Sequence, residues 1–178
     1  MRSVEGVFGK IVAFLMCSYV SFTLLVYVDV KQFVDRIPLT VPFKSLAVFG
    51  GFFVVLWVAM AREICGKGFG TLTAVLSASL CLLVSPWFGI VRPEWFSVFG
   101  ILSFLLLGIG TDYFNGGIGN LSCMLVNWIG AYLFDVAKIT PLGVMAMGTI
   151  AFVSGYMGDV LAHLILSKSS FGGKFLAP

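Results

Sequence analysis

Charge is what this sequence has least of. Lysine, arginine, aspartate and glutamate together make up 11% of 178 residues, where soluble domains carry about a quarter, so a polar shell cannot be drawn around a core of this size. Histidine occurs once, which excludes a His-Glu-x-x-His zinc site. No Gly-x-Ser-x-Gly nucleophile turn and no P-loop occur, and no two acids are spaced to hold a metal against a lipid phosphate. The four cysteines, Cys17, Cys65, Cys81 and Cys123, stand singly and form no Cys-x-x-Cys pair for redox relay or zinc, so they read as reduced packing residues. There is no basic run either, and a net charge of +3 suits anionic lipid and says nothing for nucleic acid. These absences predict a protein that is not an enzyme and has no metal, no cofactor and no nucleic-acid partner.

What is present is apolar. Sixty per cent of the residues are hydrophobic, 18 of them phenylalanine, and the mean hydropathy is +1.07. Runs of about 17 to 25 such residues cross a bilayer as helices, because lipid leaves no partner for an open strand. Six runs fit, predicting an all-α integral membrane protein with six transmembrane helices in one compact bundle: residues 11–28, 45–61, 70–91, 95–110, 118–134 and 142–166. Several are short for a span, and a five-span count with the fourth or fifth lying shallow is the alternative. The longest connection runs from Asp29 to Lys44. The first span with its basic flank imitates a signal peptide, but its 18 apolar residues and lack of a small-residue cleavage site read as a retained helix.

Between the fourth and fifth runs lies Gly-Thr-Asp-Tyr-Phe-Asn-Gly-Gly-Ile-Gly-Asn, residues 110–120. Asn115-Gly116-Gly117 can take positive φ at little cost and stop a helix, which predicts a tight hairpin with Asp112 at a membrane edge. Asp112 reads as a solvated or capped carboxylate, with a catalytic or ion-binding role as the alternative. Asp159 and His163, four residues apart in the sixth run, read as a structural ion pair near the surface or as a proton relay. Six spans put both termini on one side. Arg2, Lys10, Arg62, Lys67, Lys168 and Lys174 share that side, and the weight of the first two connections favours the cytoplasm. The expected location is the plasma membrane.

Small residues recur at helical spacing in three runs: Ala13, Cys17 and Ser21; Thr71, Ala74, Ala78, Cys81 and Ser85; Gly148, Ala151, Gly155, Gly158 and Ala162. Such stripes let helix backbones approach closely in lipid, within the chain or against a partner. Polar candidates for a ligand site converge on the fifth run. Asn120 and Asn127 are two turns apart, Trp128 follows, and Asp135 closes the run. Trp87, Glu94 and Trp95 lie in the opposing connection, where tryptophans serve as interfacial anchors or ligand platforms.

This arrangement resembles the substrate-binding S components of energy-coupling factor vitamin transporters. The six-span layout, Gly-Thr-Leu-Thr-Ala-Val-Leu-Ser-Ala-Ser-Leu from Gly70 to Leu80 with its Ala74-x-x-x-Ala78, Ala13-x-x-x-Cys17 in the first run, and the hairpin from Gly110 to Leu133 carry the resemblance. The start Met-Arg-Ser-Val-Glu-Gly is similar to the Met-His-x-x-x-Gly of nickel and cobalt members, but Arg2 replaces the metal-binding histidine, so a metal substrate is not expected. The resemblance implies cytoplasmic termini and a first outer loop that covers the ligand. It implies capture of a small water-soluble nutrient in the outer half, near Asn127, Trp128, Glu94, Trp95 and Asp135. It also implies docking of a transmembrane coupling subunit, with its ATPase subunits, through Ala13, Cys17, Ala74 and Ala78. The rival reading is a self-sufficient channel or carrier, or a structural subunit of another membrane complex.

Overall fold

A chain immersed in hydrocarbon must satisfy its backbone within each segment, and helices do so residue by residue. The computed structural model describes residues 2–27, 44, 46–88, 96–135 and 139–168, and among them there are helices and no strand. In chain order they are α1 (Arg2–Tyr27), α2 (Leu46–Cys65), α3 (Phe69–Phe88), α4 (Phe96–Tyr113), α5 (Gly116–Leu133) and α6 (Pro141–Lys168). The expected six helices are present, in one bundle.

Consecutive helices from α2 to α6 pack side by side, and α6 returns to α2, so five helices close a ring. The first helix lies outside it against α2 and α3. Val54, Val55 and Val58 of α2 meet Ala74 and Ala78 of α3, Phe104 and Leu107 of α4, and Cys123 of α5 in the main core. A second cluster gathers Ala47, Met124, Trp128, Met147 and Ala151.

The exterior is as greasy as the interior. Val7, Phe8, Leu15, Met16 and Tyr19 of α1 and Leu142, Met145, Met157 and Leu164 of α6 all face outward, a surface that water does not tolerate over such an area. Gly6–Val26, Leu46–Cys65 and Pro141–Lys168 are each long and apolar enough to cross a bilayer, and Phe69–Val84 and Phe99–Tyr113 are shorter apolar stretches. The protein is an all-helical membrane protein. With 28 residues, α6 is about 42 Å long at 1.5 Å per residue and exceeds a hydrocarbon core of about 30 Å.

Charge ends an apolar run in the sequence without ending the helix. Arg62 and Glu63 lie inside α2, which continues to Cys65, because the Arg62 guanidinium finds partners in the bundle. Cys65 is therefore a buried helix-end residue and not part of a loop, its Sγ donating to the Lys10 carbonyl. All four cysteines are free and buried.

The hairpin between α4 and α5 is made without positive φ. Two residues, Phe114 and Asn115, connect the helices, and neither Asn115, Gly116 nor Gly117 has positive φ. Asn115 is extended (φ −160°, ψ 165°) and caps α5, its Oδ1 accepting from Ile118 N at 2.9 Å. The left-handed glycines are Gly66 and Gly68, in the turn from α2 to α3. Gly116 serves a different purpose: it faces Gly155 of α6, where a Cβ on either residue would run into the other helix's backbone.

The stripes of small residues are occupied within the chain. Ser77 Oγ of α3 donates to the Ser18 carbonyl of α1 at 3.1 Å, and Cys17, Ser18 and Ser21 are buried. Ala74 and Ala78 are inside the main core, and Ala13 is half-buried. Close approach of α1 and α3 to neighbours in their own bundle thus covers Cys17, Ala74 and Ala78 of the expected docking stripe and leaves Ala13 partly exposed.

Candidate functional site

The two ends of the bundle differ in chemistry. At the termini end, where α1 begins and α6 finishes, the start of α1, the ends of α2 and α4, and the starts of α3 and α5 come together, with the later part of α6. Each helix end carries unpaired backbone groups and a partial charge, which need partners where water is scarce. Asp159 bridges two of these elements. Its Oδ1 is 2.8 Å from Arg62 of α2, and its Oδ2 accepts from the backbone N of Gly116, at the start of α5, at 2.8 Å. Arg62 also donates to the Thr111 carbonyl near the end of α4 and pairs with Glu63 at 2.7 Å.

Asp159 is therefore paired with Arg62, not with His163. The latter is exposed, with its Nδ1 4.0 Å from Glu63. Asp112 is not solvated but buried, and caps a helix other than its own. Its Oδ2 accepts from Thr71 N at 2.8 Å and from Thr71 Oγ1 at 2.6 Å, at the positive start of α3. Both carboxylates of the hairpin region are thus committed to joining helices.

The far half of the bundle interior holds amides and hydroxyls. There α2 opens with a π-turn, Leu46–Gly50, which interrupts the regular pairing of carbonyls with the N–H four residues on. Asn120 of α5 donates through Nδ2 to the Ala47 carbonyl at 3.3 Å and to the Ala151 carbonyl of α6 at 2.8 Å. Ser154 Oγ of α6 donates to the Val48 carbonyl. Gly51 admits both side chains, since a Cβ there would collide with Asn120 and Ser154. Asn120 is fully buried, and its Oδ1 has no partner among the described residues.

Asn127, two turns nearer the far end, behaves differently. It too is buried, but its Nδ2 donates to the Cys123 carbonyl of its own helix at 2.9 Å. Trp128 is a core residue and not an interfacial anchor, packed with Ala47, Met147 and Ala151. Asp135 ends α5 in a left-handed conformation (φ 52°) and is exposed. Asn127 and Trp128 thus share the far half, Asp135 marks its edge, and Glu94 and Trp95 lie outside the described residues.

Beside this region α2 and α6 part to leave a furrow of about 490 Å³ between Val48, Phe49, Phe52 and Phe53 on one wall and Ile150, Val153 and Met157 on the other. Val48 and Ile150 also pack against the Trp128 cluster. Nothing in the composition announces this furrow, because a π-turn has no residue signature. Gly50-Gly51, a pair inside an apolar run, was the one hint available.

Among the described residues no three His, Cys, Asp or Glu side chains gather as a metal site would require. No protein-family model, curated protein or solved structure matches the chain.

Proposed function

We propose that this protein is the membrane-embedded capture subunit of an ATP-driven importer of the energy-coupling factor kind. In this reading a small water-soluble nutrient binds in the half of the bundle away from the termini, which lie in the cytoplasm beneath the plasma membrane. Coupling and ATP hydrolysis belong to partner subunits.

The observation that carries the reading is the contrast between two amides of α5. Asn120 is fixed, because its Nδ2 ties α5 to carbonyls of both α2 and α6, and releasing it would undo that link between helices. Asn127 is exchangeable. The Cys123 carbonyl it contacts is already served by the helix ladder, so trading that bond for one to a ligand orphans nothing. Buried amides that can be exchanged at low cost are what a polar ligand needs from a membrane interior. Arg62, Asp112 and Asp159 at the termini end are meanwhile engaged in joining helices, which suits a body that binds and docks as a unit. With Ala74 and Ala78 covered, docking falls to other exposed faces near that end.

Expression with and without an energy-coupling ATPase module tests the proposal. Uptake of a nutrient panel should require both the module and this protein, and the two should copurify. Uptake by this protein alone, in proteoliposomes without ATP, would establish the rival channel or carrier.

A further inference from the structure

The furrow between α2 and α6 has a chemistry unlike that of the polar site around Asn127. Three phenylalanines, Phe49, Phe52 and Phe53, form one wall, and Ile150, Val153 and Met157 form the other. The two hydroxyls in its lining are occupied: Ser154 Oγ donates to the Val48 carbonyl, and Thr149 Oγ1 donates to the Met145 carbonyl. Both hydroxyl protons are thus committed, and the rest of the lining offers an occupant only apolar contact. The furrow runs along α6 from Thr149 to Met157, a rise of about 12 Å at 1.5 Å per residue. It lies between two helices that are each long and apolar enough to span a bilayer.

We propose that this furrow binds one hydrocarbon chain of a membrane lipid as a defined site, distinct from the general lipid shell. The proposal goes beyond the transport reading and does not depend on it. What sets the furrow apart from other lipid-facing surface is its construction. Its α2 wall includes the π-turn, and the carbonyls of Ala47 and Val48 in that turn are held by Asn120 from α5 and Ser154 from α6. The hollow is therefore built into the packing of three helices, and an alkyl chain in it gains close contacts on two sides. The exposed face of α1, with Val7, Phe8, Leu15 and Met16, is as apolar and takes no part in lining this furrow. That face supplies the internal control.

The test uses the full chain in phosphatidylcholine nanodiscs containing a trace of phosphatidylcholine with a mid-chain diazirine. After illumination, adducts are mapped by peptide mass spectrometry. Labelling at residues 48–53 and 149–157 should exceed that of the α1 face several-fold. Val153→Trp, which fills the furrow from an exposed position, should reduce the excess to the α1 level and leave α1 labelling unchanged. Met157→Trp, from the outer wall, serves the same purpose should the first variant not fold. Equal labelling of the two faces would reduce the furrow to ordinary lipid shell and overturn the proposal. So would an excess that survives in a folded filled variant, or furrow labelling below that of α1, which would mean that protein covers it.

Discussion

Replacing Asp159 with alanine removes two contacts at once: the carboxylate facing Arg62 at 2.8 Å and the acceptor for Gly116 N at 2.8 Å. It leaves a guanidinium and a helix-start N–H without that partner at a place where little water reaches. Breaking a buried ion pair from one side costs about 3 to 5 kcal/mol. The two side chains keep 12% and 17% of their surface, so the lower end, about 3 kcal/mol, is the expected loss. Glu63, which meets the same guanidinium from a position 28% exposed, should contribute about 0 to 1 kcal/mol. Reversible unfolding in mixed micelles reads both values. A cycle of Arg62→Ala, Asp159→Ala and the double variant should give a coupling of about 2 kcal/mol. If Asp159→Ala costs no more than Glu63→Ala, or the cycle shows no coupling, the pair does not join the helix ends as argued.

Two glycines of similar sequence context should respond oppositely. Gly155→Ala drives a methyl into the Gly116 carbonyl and should destabilise by about 1 to 3 kcal/mol, whereas Gly100→Ala, in α4 with nothing within 4 Å of the new carbon, should be neutral or stabilise by up to about 1 kcal/mol; thermal unfolding in detergent separates them. Ala74→Leu with Ala78→Leu overfills the main core and should destabilise the isolated protein by about 1 to 3 kcal/mol per site, read as a lower melting temperature. An unchanged melting temperature would return those alanines to the surface.

The class of fold was legible because lipid enforces it: low charge and long apolar runs leave helices as the solution, and six runs gave six helices. What the sequence concealed were pairings between distant residues. Asp159 and His163 are near in sequence, yet the partner of Asp159 is 97 residues away, and no local spacing announces it. The hairpin glycines were visible as a group, but left-handed turns and close helix contact both call for glycine, and here contact prevails at Gly116. Small-residue stripes showed where helices touch without showing which helix they touch. Asn127 was legible as a buried amide because an amide in an apolar run needs a partner. That its partner is its own helix, and so exchangeable, required the fold.

The most direct measurement is native mass spectrometry of the delipidated protein purified from cells, wild type beside Asn127→Leu. The account predicts one small water-soluble molecule per wild-type chain. In folded Asn127→Leu its occupancy should fall, because a lost hydrogen bond to a buried polar group costs about 1 to 3 kcal/mol, or roughly five- to 150-fold in affinity. A wild-type chain that carries no such molecule when challenged with a nutrient panel, or a variant that retains it undiminished, would contradict capture at Asn127.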